Sequence, residues 1–342
     1  MSNNYNAEAQ EANENRLAFQ SLKASEQLTI GLSAKPKDIE NAETISLIEQ
    51  YLEYNTLGVV YGESGSGKSL LTLSICIYLL EANVIDRINY YDFDNGIADQ
   101  KNRGIHLLLE KYGDRFVYVN LESLDDADIT PPQILDRLSN VGDEGKRPYD
   151  KQFFVFDTLG ELMGGSLKND EVVRPVMDRL KKLRDKGATI QVVHHTTKSK
   201  EETTFFGSQY IMIKIDALWL LTSKDTPKAD EMEFALECKK NRSGNLRDTG
   251  FTINPVTHSL DTADFTLASM DSKGADFVAT VRNVLFKLKD NISQTDLLEK
   301  IGKRKDDKKS IELLKRYANE FWIRFESNSF PKTIKYAILD ES

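Results

Sequence analysis

Eight consecutive residues, Gly62-Glu63-Ser64-Gly65-Ser66-Gly67-Lys68-Ser69, limit this chain more than any other stretch. They fit G-x-x-x-x-G-K-[ST], and they sit where that pattern works. An apolar strand, residues 57–61, leads in, and an apolar helix, residues 70–80, leads out. The glycines let successive backbone N–H groups turn inward on a phosphate. The helix N-terminus adds positive partial charge at the same point. Lys68 is expected to reach the β/γ oxygens of a nucleoside triphosphate, and the Ser69 hydroxyl to ligate Mg²⁺. A nucleoside triphosphate with Mg²⁺ is therefore the expected cofactor.

The rest of the chain supplies a fold for such a loop. Apolar strands alternate with helices from residue 44 to about 225. The strands at 87–94, 115–119, 152–157, 188–194 and 217–222 are separated by helices expected at 99–112, 131–140 and 172–186. Runs such as Phe153-Phe154-Val155-Phe156 are apolar throughout, the mark of strands covered on both faces of a parallel sheet. The pattern predicts a doubly wound α/β domain over 41–262, with 233–238 and 250–253 as a hairpin at its edge. Residues 1–40 are polar and read as an arm, with a short helix around 13–23. Small polar residues at 263–275 read as a linker. Beyond it, three helices (277–289, 294–301, 308–321) and two strands (322–325, 333–338) fit a small winged-helix-like domain over 276–342.

Charge and cysteine content set the setting. Net charge is −9, yet from residue 276 onward 14 Lys/Arg face 11 Asp/Glu, so the acidity lies in the body. The two cysteines, Cys76 and Cys238, form no metal-binding or disulfide pattern. No apolar run approaches the ~18 residues of a membrane span, and Met1-Ser2-Asn3-Asn4 lacks the blocks of a signal peptide. A cytoplasmic protein with no membrane partner is expected.

Further residues extend the chemistry. Asp157 ends an apolar strand at the sheet edge where ligands of such folds bind, and it suits a Mg²⁺ ligand. Asp92 and Asp94 are candidates for orienting the attacking water. Two residues apart on a strand, they are expected to point the same way, unless they cap the helix that follows. His194 and His195 end the strand after Asp157, where an imidazole can sense a γ-phosphate. Lys239-Lys240-Asn241-Arg242 forms a basic turn after an edge strand, suited to an arginine finger acting on a neighbouring copy.

In this order, the motifs resemble the RecA-like hexameric replicative helicases of RepA and DnaB type, over residues 44–262. Gly62–Ser69 matches the first motif. Asp94 falls on the position of that family's catalytic glutamate, a departure that shortens the side chain by one methylene. Asp157 matches the metal-binding strand, and His194-His195 the double-histidine motif. Lys240 and Arg242 match the Lys-x-Arg finger pair acting in trans, and Arg103 the arginine against the adenine. The resemblance implies a RecA-like P-loop NTPase, a homo-hexameric ring, and single-stranded DNA in its channel. It places DNA contacts on the loop after the histidines, with Lys198, Lys200, Phe205 and Phe206. Arg304, Lys305 and Lys308 sit at the groove-reading helix of the C-terminal domain, which is either a second DNA contact or a dock for replication proteins. Besides a helicase, two other classes remain open: an ATP-dependent DNA-binding switch (a recombinase-like filament or helicase loader) and a KaiC-like regulatory ATPase.

Overall fold

The structure is a computed structural model that describes residues 36–40, 44–142, 147–196, 205, 207–225, 230–328 and 330–339. The chain divides into two units, Met1–Ile45 and Ser46–Ser342. In the first, Pro36–Glu40 is helical; the helix expected around 13–23 lies outside the described residues. All that follows concerns the second.

It opens with a hairpin of β1 (Ser46–Ile48) and β2 (Leu52–Glu53), then β3 (Leu57–Gly62), the loop, and helix α1 (Lys68–Glu81). Strand β4 (Arg87–Asp92) is followed by two helices, α2 (Ile97–Asn102) and α3 (Ile105–Tyr112), where one was expected. Gly104 breaks them apart at φ +70°, a backbone state that glycine adopts without steric penalty. β5 (Phe116–Asn120), α4 (Leu121–Asp126), α5 (Pro131–Ser139), β6 (Gln152–Asp157) and α6 (Leu159–Met163) lead to the long α7 (Asp170–Asp185) and β7 (Thr189–His195). Helix α8 (Gln209–Lys214) then precedes β8 (Ala217–Asp225), β9 (Met232–Asn241), β10 (Thr249–Ile253) and β11 (Leu260–Ala263).

These strands form one nine-stranded sheet in the order β11-β10-β9-β8-β3-β7-β6-β4-β5. From β8 to β5 neighbours run parallel; β8 to β11 are antiparallel, which bears out the edge hairpin. Every residue of β3 is buried, as a strand covered on both faces requires. One apolar cluster joins α1 and the β1–β2 hairpin to one face, and a second joins α5, α6, α7 and α8 to the other. Gln191 of β7 is buried inside the first layer. It accepts from Tyr51 Oη (2.8 Å) and donates to Thr72 Oγ1 (2.7 Å), so it locks hairpin, strand and α1 together.

The stretch read as a linker is folded. α9 (Phe265–Ser269), capped by Asp264, packs along β8, β9 and β10. Lys224 Nζ donates to the carbonyls of Leu267 and Met270. α10 (Ser272–Leu288), β12 (Ile292–Ser293), α11 (Gln294–Lys300), α12 (Lys308–Arg316), β13 (Trp322–Glu326) and β14 (Ile334–Ile338) form the small C-terminal part. Its antiparallel sheet has the order β12-β14-β13. A third core, separate from the other two, centres on Trp322, whose Nε1 donates to Leu314 O (2.9 Å).

Candidate functional site

The loop leaves β3 at the sheet's C-terminal edge. Gly65 (φ +80°) and Gly67 (φ +75°) occupy the left-handed region, which a Cβ makes costly. At Gly67 a Cβ would also stand 2.7 Å from the Phe234 ring of β9. Gly67 ends the loop as the N-cap of α1 and, having no side chain, places no capping oxygen on the helix's first N–H groups. They remain directed at the loop's mouth with the helix's partial positive charge. Lys68 is buried, and its Nζ donates to Gly62 O (3.1 Å) and Glu63 O (2.6 Å). Burial pulls its pKa below the usual lysine value, against the charges of Asp157, Asp94 and Glu63. Ser66 Oγ is buried with no partner among the described residues. Ser64 and Glu63 are exposed at the loop's tip.

Asp157 ends β6, and β7 alone separates that strand from β3. Its carboxylate is buried, which raises its pKa above the usual range. Hydrogen bonds from the Ser69 hydroxyl and Tyr90 oppose the shift, as does the Arg103 charge, while the Asp92 charge adds to it. Tyr90 Oη donates to Asp157 Oδ2 at 3.0 Å. The loop's serine and the strand's carboxylate thus meet as two oxygen donors beside an array of N–H groups. That donor chemistry suits Mg²⁺ bound to a triphosphate, so Ser69 and Asp157 are the residues that fit the metal.

Asp92 and Asp94 do not share surroundings. β4 ends at Asp92, so strand alternation stops before Asp94. Asp92 is fully buried and organises the turn. It accepts from the backbone N–H of Asp94 (3.1 Å) and Asn95 (3.0 Å), from Asn95 Nδ2 (2.9 Å), and from Tyr118 Oη. Asp94 is half exposed, and its Oδ2 lies 3.3 Å from His195 Nε2. The remaining ring nitrogen of His195, Nδ1, has no partner among the described residues. The registers Tyr61↔His194 and Gly62↔His195 bring both histidines to the foot of the loop. His194 is buried with its ring 5.2 Å from that of Phe205. Arg103 Nη2 donates to Asn95 Oδ1 (2.8 Å), turning the guanidinium toward the Asp92 turn.

Lys240 and Arg242 stand at the other end of the sheet. Asn241 pairs with Ala217, and Ala217 with Gly58, at the start of β3 rather than at its loop end. A strand of this length spans ~20 Å, so neither residue reaches the phosphate loop of its own chain. Lys240 Nζ donates to Met212 O, and Arg242 Nη2 donates to Ile213 O (2.7 Å).

Of the expected DNA contacts, Lys198, Lys200 and Phe206 lie outside the described residues. Phe205 departs from the expectation of a free stacking ring. It packs edge-on against Tyr61 (5.4 Å) and beside His194, because it continues the apolar layer under the sheet. Arg304 and Lys305 are exposed between α11 and α12, and Lys308 is exposed on the first turn of α12, whose cap is Asp307. The site also holds residues no motif marked: Tyr90, Tyr118 and Asn95 around the two carboxylates, and Phe234 against Gly67. Single aromatics in apolar strands carry no sign of which oxygen they will meet.

Among the described residues, no helix is long and apolar enough to cross a membrane. Residues 37–201 match the model of a family described as AAA domain. No curated protein matches the chain in sequence. Among solved structures, the flagellar accessory protein FlaH from Methanocaldococcus jannaschii is similar, at 14% identity and a TM-score of 0.41, over 62% of this chain and 90% of that one. The matched segment runs through the loop, Asp94, Arg103, Asp157 and both histidines. That similarity to an AAA domain spans 165 of the 342 residues, just under half of the chain.

Proposed function

We propose that the chain is an ATP-driven translocase on single-stranded DNA, working as a ring of copies with each ATP held between two of them. The observation that carries this reading is the split of the catalytic set across one sheet. Loop, Asp157 and Asp94 lie at one edge, and Lys240 and Arg242 at the other. A finger that cannot serve its own loop can serve that of a second copy.

In this mechanism the N–H groups of residues 63–69 and the Lys68 ammonium bind the phosphates of ATP. Ser69 and Asp157 would hold Mg²⁺, which would supply charge neutralisation for the phosphates. Asp94 orients the attacking water and is itself held by His195, while His194 stays packed on Phe205. Arg103, bonded to Asn95 beside the Asp92 turn, is the candidate arginine for the nucleotide on the family resemblance. Arg242 and Lys240 of the next copy stabilise the transferred charge, a contribution of about 10³–10⁵ in rate for an arginine finger. The C-terminal part, with its order of three helices and three strands, fits a winged helix. Arg304, Lys305 and Lys308 are its candidate contacts to DNA or to replication proteins.

The test is ATP hydrolysis with and without single-stranded DNA, alongside strand displacement on a forked duplex. Stimulated hydrolysis together with displacement supports the translocase. Stimulation without displacement leaves a second reading, an ATP-dependent DNA-binding switch. The aspartate at position 94, short and drawn toward His195, favours that reading. Hydrolysis indifferent to DNA removes both and leaves a regulatory ATPase acting on protein.

A further inference from the structure

We propose that Asp216 is a positioning residue that sets Arg242 for a phosphate bound on a second copy, and that it ties this finger to the strand carrying the chain's own loop. The proposal rests on the shared-site reading above. Asp216 lies between α8 and β8, with its side chain 12% exposed. Its Oδ1 accepts from Arg242 Nη1 (2.8 Å) and its Oδ2 from Leu57 N (2.9 Å), the first residue of β3. Arg184 from the end of α7 grips both oxygens through Nη1 (2.9 and 2.8 Å). The backbone repeats the link: Asp216 N donates to Leu57 O (2.8 Å), and Arg242 N to Asp216 O (2.9 Å).

Charge shows what the cluster leaves free. Two carboxylates, Asp185 and Asp216, face Lys181, Arg184, Lys240 and Arg242. Arg184 lies largely buried between both carboxylates, whereas the Arg242 side chain is 47% exposed. Four cations against two carboxylates leave a surplus of positive charge, and Arg242, beside Lys240, carries it exposed. Two bonds, to Asp216 Oδ1 and Ile213 O, fix the guanidinium before any phosphate arrives. A planar fork fixed in advance loses less freedom on binding an anion. Because Asp216 also holds Leu57 N, a shift of β3 is felt at the finger of the same chain.

The test uses the full chain and mixed copies. Asp216→Asn keeps the size of the side chain but not its charge. It is expected to bind a fluorescent ATP analogue as wild type does and to lose about a hundredfold in turnover, the usual consequence of a ~1 Å misplacement. Mixed with Lys68→Ala copies, it is expected to recover activity above the sum of the two alone. The first supplies an intact loop and the second an intact finger. Wild-type turnover by Asp216→Asn overturns the proposal. So does a mixture that stays dead while Arg242→Ala and Lys68→Ala do complement each other, since Asp216 then serves its own site or the fold. Failure of that control pair, with wild type active, removes the shared-site reading and this proposal with it. Should Asp216→Asn melt early, Asp216→Glu retains the charge at a changed reach and is expected to show the same loss and the same complementation.

Discussion

Asp157 is held in the fold against its own solvation. Burial raises its pKa, and the bonds from Ser69 and Tyr90 only partly offset that. A carboxyl whose folded pKa lies above its unfolded value is disfavoured as an anion in the fold, so it lowers stability at neutral pH. That loss is relieved as pH falls through the folded pKa. Asp157→Asn is therefore expected to raise the melting temperature of the nucleotide-free chain at pH 7. The gain should shrink as pH falls into the carboxylate range. The same change should cut Mg²⁺-dependent hydrolysis by about 10²–10³, the scale for losing one electrostatic group at a transition state. Thermal unfolding at two pH values checks the first part, and a lower melting temperature at pH 7 would contradict it. This residue, like Lys68 and Ser69, was legible in the sequence because its chemistry is tied to a strand end and a glycine pattern. The residues by themselves did not separate Asp92 from Asp94; only the family resemblance singled out Asp94. Which of them is buried depends on β4 ending at Asp92 and on Tyr118 arriving from β5, and neither is a property of the local sequence.

At the scale of elements, legibility followed length. The apolar strands and the helices α1, α5, α7, α10 and α11 were all expected, with shifted ends. Helices of five or six residues, such as α6 and α9, carry too few turns for a period to register. They form because tertiary packing supplies the partners, as β8, β9 and β10 do for α9. Three helices and a hairpin were expected at the C-terminus, and Trp322 explains how so few residues hold together. It is fully buried among Phe277, Tyr317 and Phe321, and it hydrogen-bonds Leu314 O. This core shares no residue with the two flanking the large sheet. Trp322→Ala is expected to destabilise the C-terminal part by about 3–5 kcal/mol. Amide hydrogen exchange is the measurement that isolates it. Protection should fall across 277–338 while β3, β6 and β7 keep theirs. Loss spread evenly over both regions would mean that the cores unfold as one unit.

At the scale of the whole molecule, the two ends of one sheet cannot meet within a chain, so under the proposed shared site turnover depends on association. Activity per chain is expected to rise with concentration. On dilution it should fall toward that of Arg242→Ala, while ATP binding per chain stays constant. A dilution series of turnover with sedimentation in the same buffer checks this. Full activity from chains that sediment singly would exclude the shared site. Salt then separates assembly from DNA binding. Copies that each carry a net charge of −9 repel one another, and screening shortens that repulsion to ~10 Å at 0.1 M salt. Moderate salt should therefore promote assembly and raise hydrolysis without DNA. Binding to a phosphate backbone runs the other way, because each contact releases counterions and weakens as salt rises. The body's acidity, set against the slightly basic C-terminal part, could not decide between these partners from composition alone. The opposite slopes can. If DNA stimulation falls with salt while basal activity climbs, both contacts exist. If both climb together, the stimulation comes through assembly and not through phosphates.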